Sequence, residues 1–356
     1  MSNTIKYYNI LDDIKEYPEA WLYIAWSKRG AGKTYGALLS ALKENITIVY
    51  LKRTMDDVNL ICSGDSFGAD FSPYKPINRD TNYNIKPKLL RQGIGAFYNT
   101  NEDGEISGTP VSYVLSLSGV RKYKGFDLSD CDWIILDEFI PQLGERVSRS
   151  EGEQLLDLYM TIQRDRVLRE KDDCKLILFA NAVNIMSPIT TLLNITDDMA
   201  DMVQKGSEYY FNNERKLLLH YLLPDKYASG KEKSKIKTAM ENTKWGAMAF
   251  GGEFAFNDFS NVKRLSNKNM SPLVSVIYNQ NQYYIYVNRN AGMFYMTSKR
   301  FGSFDLVYNL DTDNGYKSFF RDFVFTLQQH TINDIMRYER YSMYDLIMNY
   351  KNYFKV

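Results

Sequence analysis

Eight consecutive residues, Ser27-Lys28-Arg29-Gly30-Ala31-Gly32-Lys33-Thr34, are the part of this 356-residue chain best suited to hold a polyphosphate. A triphosphate needs converging backbone N–H groups, a helix N-terminus for its charge, one cation on its β and γ oxygens and one hydroxyl on Mg2+. Gly30 and Gly32 permit the loop, Lys33 is the cation and Thr34 the metal-side hydroxyl, so the octapeptide predicts ATP and Mg2+ as ligands. Ser27 stands where such loops begin with glycine, so the start of the loop is expected to use a conformation that tolerates a Cβ. The competing reading is an incidental turn that ends in Gly-Lys-Thr.

A second segment, Cys131 to Glu138 (CDWIILDE), reads as an apolar strand ending in adjacent carboxylates. Asp137 then falls at the carboxyl edge of a sheet, where it can hold the Mg2+ shell. Glu138 can orient and polarise an attacking water. A third strand, Leu176 to Phe179, runs into Ala180-Asn181-Ala182, and Asn181 is a candidate sensor of the γ-phosphate. An ordinary turn-forming Asn is the alternative. Arg166, and next to it Arg164, end a helix just before that strand and are candidate fingers for a neighbouring subunit's nucleotide. A solvated helix end that favours positive charge explains them equally well. Arg29, inside the loop, is a competing source of the same charge.

The elements that must position these groups follow from the pattern of apolar residues. Trp21 to Trp26, Ile46 to Leu51, Val111 to Leu117, Trp133 to Leu136 and Leu176 to Phe179 are short apolar, strand-like runs, as expected for a parallel sheet covered on both faces. Thr34 to Leu42 and Glu151 to Leu168 read as helices between them. The spacing predicts an α/β doubly wound domain over residues 1–197. Asp65 to Gly108 reads as an excursion from the sheet edge. Residues 198–250 read as a linker, because Lys226 to Lys244 carries six lysines against Asp225, Glu232 and Glu241. Pro272 to Ser298 predicts a β-meander and Ser318 to Phe354 a helical end, within a second domain over residues 251–356.

Composition narrows the function classes. An apolar share of 44% and a charged share of 24% are ordinary for a globular chain. Lys plus Arg number 44 against 43 Asp plus Glu, so net charge does not mark a nucleic-acid binder and any DNA contact must be local. Arg121, Lys122 and Lys124, before the acidic strand, and the lysines within residues 75–91 are candidate contacts, though each also reads as a plain surface residue. Cys62, Cys131 and Cys174 have no paired spacing and only His220 and His330 could join them, which predicts reduced thiols and no structural zinc. With no signal-like start and no long apolar run, the expectation is a soluble, intracellular protein that makes no use of a membrane.

Taken together, SKRGAGKT, the Asp137-Glu138-Phe139 triplet, the QRDR of Gln163 to Arg166 and the ANAV of Ala180 to Val183 resemble the genome-packaging ATPases of small short-tailed phages with terminal-protein-primed genomes. These are compact relatives of large terminase subunits in the additional-strand ATPase group. The resemblance spans most of the chain and is specific between residues 24 and 184. It implies an additional-strand P-loop ATPase domain followed by a small α+β, RNase H-like remnant of the terminase nuclease. It also implies a homopentameric ring on the capsid portal, ATP between subunits, and double-stranded DNA passing through the centre. The site of action is then the host cytoplasm, at the procapsid portal vertex, and some relatives add a packaging RNA. Independently of the resemblance, Leu273 to Thr297 contains no Asp or Glu, whereas a two-metal nuclease needs several converging carboxylates, so cleavage is not expected.

Of three other readings, the first fails on two counts. Leu117-Ser118-Gly119 begins like the signature of an ABC-type ATPase, but Val120 and Arg121 replace its Gly and Gln, and no histidine follows between Glu138 and Asn213. A helicase or other ring translocase and a non-catalytic DNA-binding scaffold at the portal are the others.

Overall fold

The computed structural model of the protein describes residues 7–356 apart from 28, 64–70, 102, 124–125, 143–144, 146, 182–184, 225, 228–234, 241, 244–257 and 267. Two units result, one formed by Met1–Asn194 with Asp201–Phe256 and the other by Ile195–Ala200 with Asn257–Val356.

The first unit runs α1 (Ile10–Glu16), β1 (Leu22–Ser27), α2 (Lys33–Lys43), β2 (Ile48–Lys52), α3 (Met55–Cys62) and α4 (Lys75–Asp80). Then come β3 (Ile85–Arg91), β4 (Ile94–Thr100), β5 (Ile106–Ser116), β6 (Trp133–Leu136), α5 (Glu151–Val167), β7 (Lys175–Asn181), α6 (Pro188–Leu192), α7 (Thr196–Lys205, whose first five residues count with the second unit), β8 (Tyr209–Asn212) and β9 (Leu217–Tyr221). The strands form one sheet in the order β3-β4-β5-β2-β6-β7-β1-β9-β8. From β5 to β9 every neighbouring pair is parallel, and β7 lies between β1 and β6. All of β1 and all of β6 are buried, which is why their sequences are uninterrupted apolar runs rather than alternating ones.

The alternating strand and helix pattern is therefore borne out, and so is the excursion, since β3 and β4 extend the sheet beyond β5 as antiparallel strands. One boundary is corrected. Residues 209–221 fall inside the expected linker, yet β9 pairs in parallel with β1 and β8 pairs with β9, adding two strands to the sheet. The physical reason is the run Leu217–Tyr221, five buried residues that need a sheet neighbour. Nine of the nineteen residues of the lysine-rich stretch, 228–234, 241 and 244, lie outside the described residues; its Lys235–Met240 part is a short helix.

A buried polar cluster fastens the N-terminal segment to this sheet. The Tyr8 hydroxyl donates to Asp13 Oδ2 at 2.8 Å, and His220 Nδ1, on β9, lies 2.8 Å from the same oxygen. The Tyr8 backbone N–H donates to the Ala31 carbonyl at 3.1 Å, tying that segment to the glycine-rich loop.

The second unit is built on β10 (Ser271–Tyr278), β11 (Asn281–Asn288) and β12 (Met293–Thr297), the antiparallel meander expected from the sequence. β13 (Val307–Asn309) adds in parallel to β10, and β14 (Met336–Tyr338) adds in parallel to β12. Helices Asp313–Phe319, Phe325–Ile332, Tyr341–Met348 and Tyr350–Tyr353 pack an aromatic-rich core with Phe319, Leu327, Leu346 and Tyr350. The C-terminal stretch is thus not wholly helical: Met336 and Tyr338 point inward and Arg337 lies between them, a period of two too short to register in the spacing.

Candidate active site

The carboxyl ends of β1, β6 and β7 lie side by side, because Ser27 is in register with Asn181 and Leu136 with Leu178. Side chains that end these strands therefore share one edge of the sheet, where parallel α/β folds gather their functional groups. The loop after β1 turns through Gly30 and Gly32, at φ of 91° and 83°, a region that a Cβ-bearing residue rarely adopts. Gly32 is the N-cap of α2 and offers no side chain to that helix end, so the backbone N–H groups of its first turn stay available to an anion.

Lys33 is buried, and its Nζ donates to Ser27 Oγ at 2.7 Å. Ser27 itself is the last residue of β1 and extended, so the Cβ is accommodated, and its hydroxyl does a job that glycine could not. Burial pulls the Lys33 ammonium down from 10.5 to about 8, against the opposing pull of Asp137 and Glu138. Thr34 Oγ1 donates to Asp137 Oδ2 at 2.6 Å, across 103 residues of sequence. Asp137 Oδ1 in turn accepts from the Glu138 N–H at 3.0 Å.

Glu138 takes a φ of 56°, an unusual backbone for a non-glycine residue and one found at functional turns. Its carboxylate accepts from Asn181 Nδ2 at 3.1 Å and from Gln142 Nε2 at 3.4 Å. The backbone beyond it is fixed, because the Phe139 N–H donates to the Phe179 carbonyl at 3.0 Å. The residues singled out from sequence as loop, cation, hydroxyl, acidic pair and sensor are thus brought to one place.

The two arginines of α5 part company. Arg166 is buried within its own chain, donating to the carbonyls of Asp172, Ser129 and Cys131 at 2.8, 3.2 and 2.9 Å and pairing with Asp132 at 3.0 Å. That counts against the choice of Arg166 as finger: its Nε and Nη1 brace the end of α5 against the segment that leads into β6. Arg164, two residues earlier, is exposed on the helix surface. Arg29 is half-buried in the turn after β1, and Lys28 lies outside the described residues.

Of the DNA-contact candidates, Lys122 is exposed at the end of a 3-10 turn, Leu117–Lys122, that also includes Arg121. Lys124 lies outside the described residues. Lys86, Lys88 and Arg91 are exposed on β3, the outermost strand, where charge also guards an open sheet edge.

Sequence reasoning missed three participants. Arg53, directly after β2, donates to the carbonyls of Glu138 and Phe139 at 2.7 and 2.9 Å and to the carboxylates of Glu151 and Glu145. Gln142 and Glu151 complete this shell. The available signal was a basic residue at the carboxyl end of a buried strand that neighbours the acidic one.

Fold and edge cluster define the class: a mixed α/β protein whose parallel sheet collects charged and hydroxyl side chains at the ends of β1, β6 and β7. A family model described as Podovirus DNA encapsidation protein (Gp16) matches residues 101–335, and the chain belongs to that family. The match takes in the acidic pair, both arginines of α5 and Asn181, and begins beyond the glycine-rich loop. Relatives named DNA packaging protein include one from Bacillus phage PZA, 25% identical over 215 residues, which is 60% of this chain and 59% of that protein. Another, from Bacillus phage B103, is 24% identical over 293 residues, 80% of each chain. Thus the chain aligns with less than two thirds of the PZA protein's length. Among solved structures, the bacteriophage Phi-29 viral genome packaging motor assembly shares the fold with a TM-score of 0.65 at 18% identity, over 98% of both chains. The Phi-28 gp11 DNA packaging motor does so with a TM-score of 0.59 at 17% identity, over 96% of this chain and 97% of that one.

Proposed function

We propose that this chain is a P-loop ATPase of the additional-strand type that drives double-stranded viral DNA into a procapsid as one subunit of a ring. The observation that carries this reading is the convergence of Lys33, Thr34, Asp137, Glu138 and Asn181 at one sheet edge in a member of the DNA encapsidation family. In this reading Lys33 leaves Ser27 for the β and γ oxygens of ATP, and the amides after Gly32 cradle the phosphates. Thr34 Oγ1 and Asp137 are hard oxygen donors that would hold Mg2+, which would supply positive charge against that developing on the phosphoryl oxygens.

Glu138 orients the attacking water, and Asn181, which holds the Glu138 carboxylate, reports the presence of the γ-phosphate. With Arg166 committed to its own chain, Arg164 becomes the finger offered to a neighbouring subunit, whose transition state needs a cation that arrives only when the ring is poised. DNA is held through phosphates rather than bases, which suits exposed lysines such as Lys122, Lys86 and Lys88. The ring of five, the portal as docking partner, the host cytoplasm as site of action and the second unit as an RNase H-like remnant without cleavage activity complete the proposal. Its support is family membership together with the meander of β10 to β12, flanked in parallel by β13.

The test is ATP hydrolysis by the purified chain with and without duplex DNA. Turnover that duplex DNA stimulates is expected, and Glu138→Gln should retain Mg2+-ATP while slowing hydrolysis by about 10²–10⁴-fold. A chain with no Mg2+-dependent ATP affinity would overturn the reading. Strand separation on a forked duplex would turn it toward a helicase, and binding of DNA without turnover toward a scaffold.

A further inference from the structure

The geometry points to Arg53 as a positioning residue for hydrolysis, clamping the Glu138–Phe139 turn and joining it to the start of α5. This inference rests on the ATPase reading above and gives a role to a side chain outside its loop, acidic pair, sensor and finger.

All three nitrogens of the guanidinium donate into one small region. One terminal nitrogen donates to the carbonyl of Glu138 at 2.7 Å and to that of Phe139 at 2.9 Å. Nε donates to Glu151 Oε1 at 2.7 Å, and the other terminal nitrogen donates to Glu145 Oε1 at 3.2 Å. Planar, forked guanidinium geometry suits such multiple capture, whereas an ammonium is a point charge. The site is well shielded: the Arg53 side chain is 13% exposed and that of Glu151 4%.

Two features make the clamp more than a surface ion pair. Glu138 is held at a φ of 56°, a conformation that persists in a non-glycine residue only when its surroundings enforce it. The Phe139 N–H bond to Phe179 fixes the far side of this turn, and Arg53 grips its two carbonyls. Without Arg53 the turn is free to relax toward right-handed backbone, which would swing the carboxylate away from Asn181. Glu151 is the first residue of α5 and sits buried beside its N-terminus, with Oε2 lacking any hydrogen-bond partner among the described residues. Burial raises the Glu151 carboxyl, while Arg53 opposes that rise, so each group is in place only because of the other.

The same helix carries Arg164 thirteen residues on, roughly 20 Å along a straight helix at 1.5 Å per residue. One rigid element therefore starts at the Glu138 clamp and ends at the exposed arginine.

The experiment measures steady-state and single-turnover ATP hydrolysis and ATP affinity for the full-length chain bearing Arg53→Gln, Arg53→Lys and Glu151→Gln, and for Arg53→Gln combined with Glu138→Gln. Arg53→Gln is expected to lower kcat by about 100-fold, the scale of an ångström-sized misplacement of a reacting group, with ATP affinity unchanged. Arg53→Lys recovers part of that loss, and Glu151→Gln falls between wild type and Arg53→Gln. In single turnover the double variant should be no slower than Glu138→Gln alone, because Arg53 acts through Glu138. An additive loss in the double variant, or an Arg53→Gln chain with wild-type kcat, overturns the inference while leaving the ATPase reading intact. If Arg53→Gln fails to fold and bind ATP, Glu151→Gln decides: wild-type kcat in that variant overturns the clamp, and a kcat loss at unchanged affinity supports it. Absence of turnover in the wild-type chain would count against the ATPase reading itself.

Discussion

The two sheets of this protein use carboxylates in opposite ways. At the edge of the first, Asp137 and Glu138 are adjacent, half-buried and directed toward a lysine and a hydroxyl of α2 and an amide at the end of β7. In the second unit Glu339, Asp345 and Asp197 lie apart in the sequence, and each is taken up by donors of the chain. Glu339 Oε2 accepts from Thr297 Oγ1, the Ser298 N–H and Ser298 Oγ at 2.6, 2.8 and 2.9 Å. Asp345 takes Asn349 and Tyr353, and Asp197 takes the backbone and hydroxyl of Ser342. Convergence leaves lone pairs for a ligand, whereas saturation by donors of the chain spends them on the fold. What separates a site from a staple is therefore geometry and not the type of residue.

That contrast can be broken by experiment. Lys33→Ala should have the largest effect, abolishing ATP turnover, since the group that neutralises the phosphates is removed; measurable hydrolysis would detach the lysine from the chemistry. Arg164→Ala should cut turnover on the order of 10³-fold with ATP still bound, and mixing it with Lys33→Ala chains should restore activity if the finger acts between subunits. Its neighbour supplies the control: Arg166→Ala should instead lower stability by about 2 kcal/mol, through lost hydrogen bonds to a charged group, as read by denaturant titration. The same pair of variants giving the reverse pattern would restore Arg166 as the finger.

A smaller effect concerns pH. With its pKa lowered to about 8 by burial, Lys33 loses its proton above that pH while an unfolded lysine keeps it to near 10.4. ATP affinity should weaken above pH 8, by up to about tenfold per unit, because phosphate binding requires the ammonium. The chain without nucleotide should gain stability over the same interval, since its unfolded form then binds more protons than the folded one. An affinity flat from pH 7 to 9.5 would show that the loop tolerates a neutral amine. Smallest of all, Glu339→Ala should cost the second unit about 1–3 kcal/mol and leave ATP turnover untouched, which thermal melts and a hydrolysis assay read together.

Much of the candidate site was legible because phosphate binding is local: a glycine-rich loop, a lysine and a hydroxyl must be contiguous in sequence, as they are in Gly30 to Thr34. The β-meander was legible for a similar reason, since turns and alternation are near-neighbour properties. β8 and β9 were missed because Leu217 to Tyr221 is buried by β1, nearly 200 residues away, and no local period announces such a pairing. Arg53 was missed for the same reason: its partners lie 85 to 98 residues further along the chain.

By itself, the sequence singled out the members of the candidate site, namely Lys33, Thr34, Asp137, Glu138, Asn181 and a pair of arginines, because donor type and short-range spacing are covalent facts. Only the tertiary structure set Arg164 apart from Arg166, since one is exposed on α5 and the other is buried against the carbonyls of Ser129, Cys131 and Asp172. It also decided that Ser27 accepts from Lys33 and that a left-handed Glu138 is held by Arg53. These are matters of burial and of which strands lie side by side, and they come into being only when the sheet has formed.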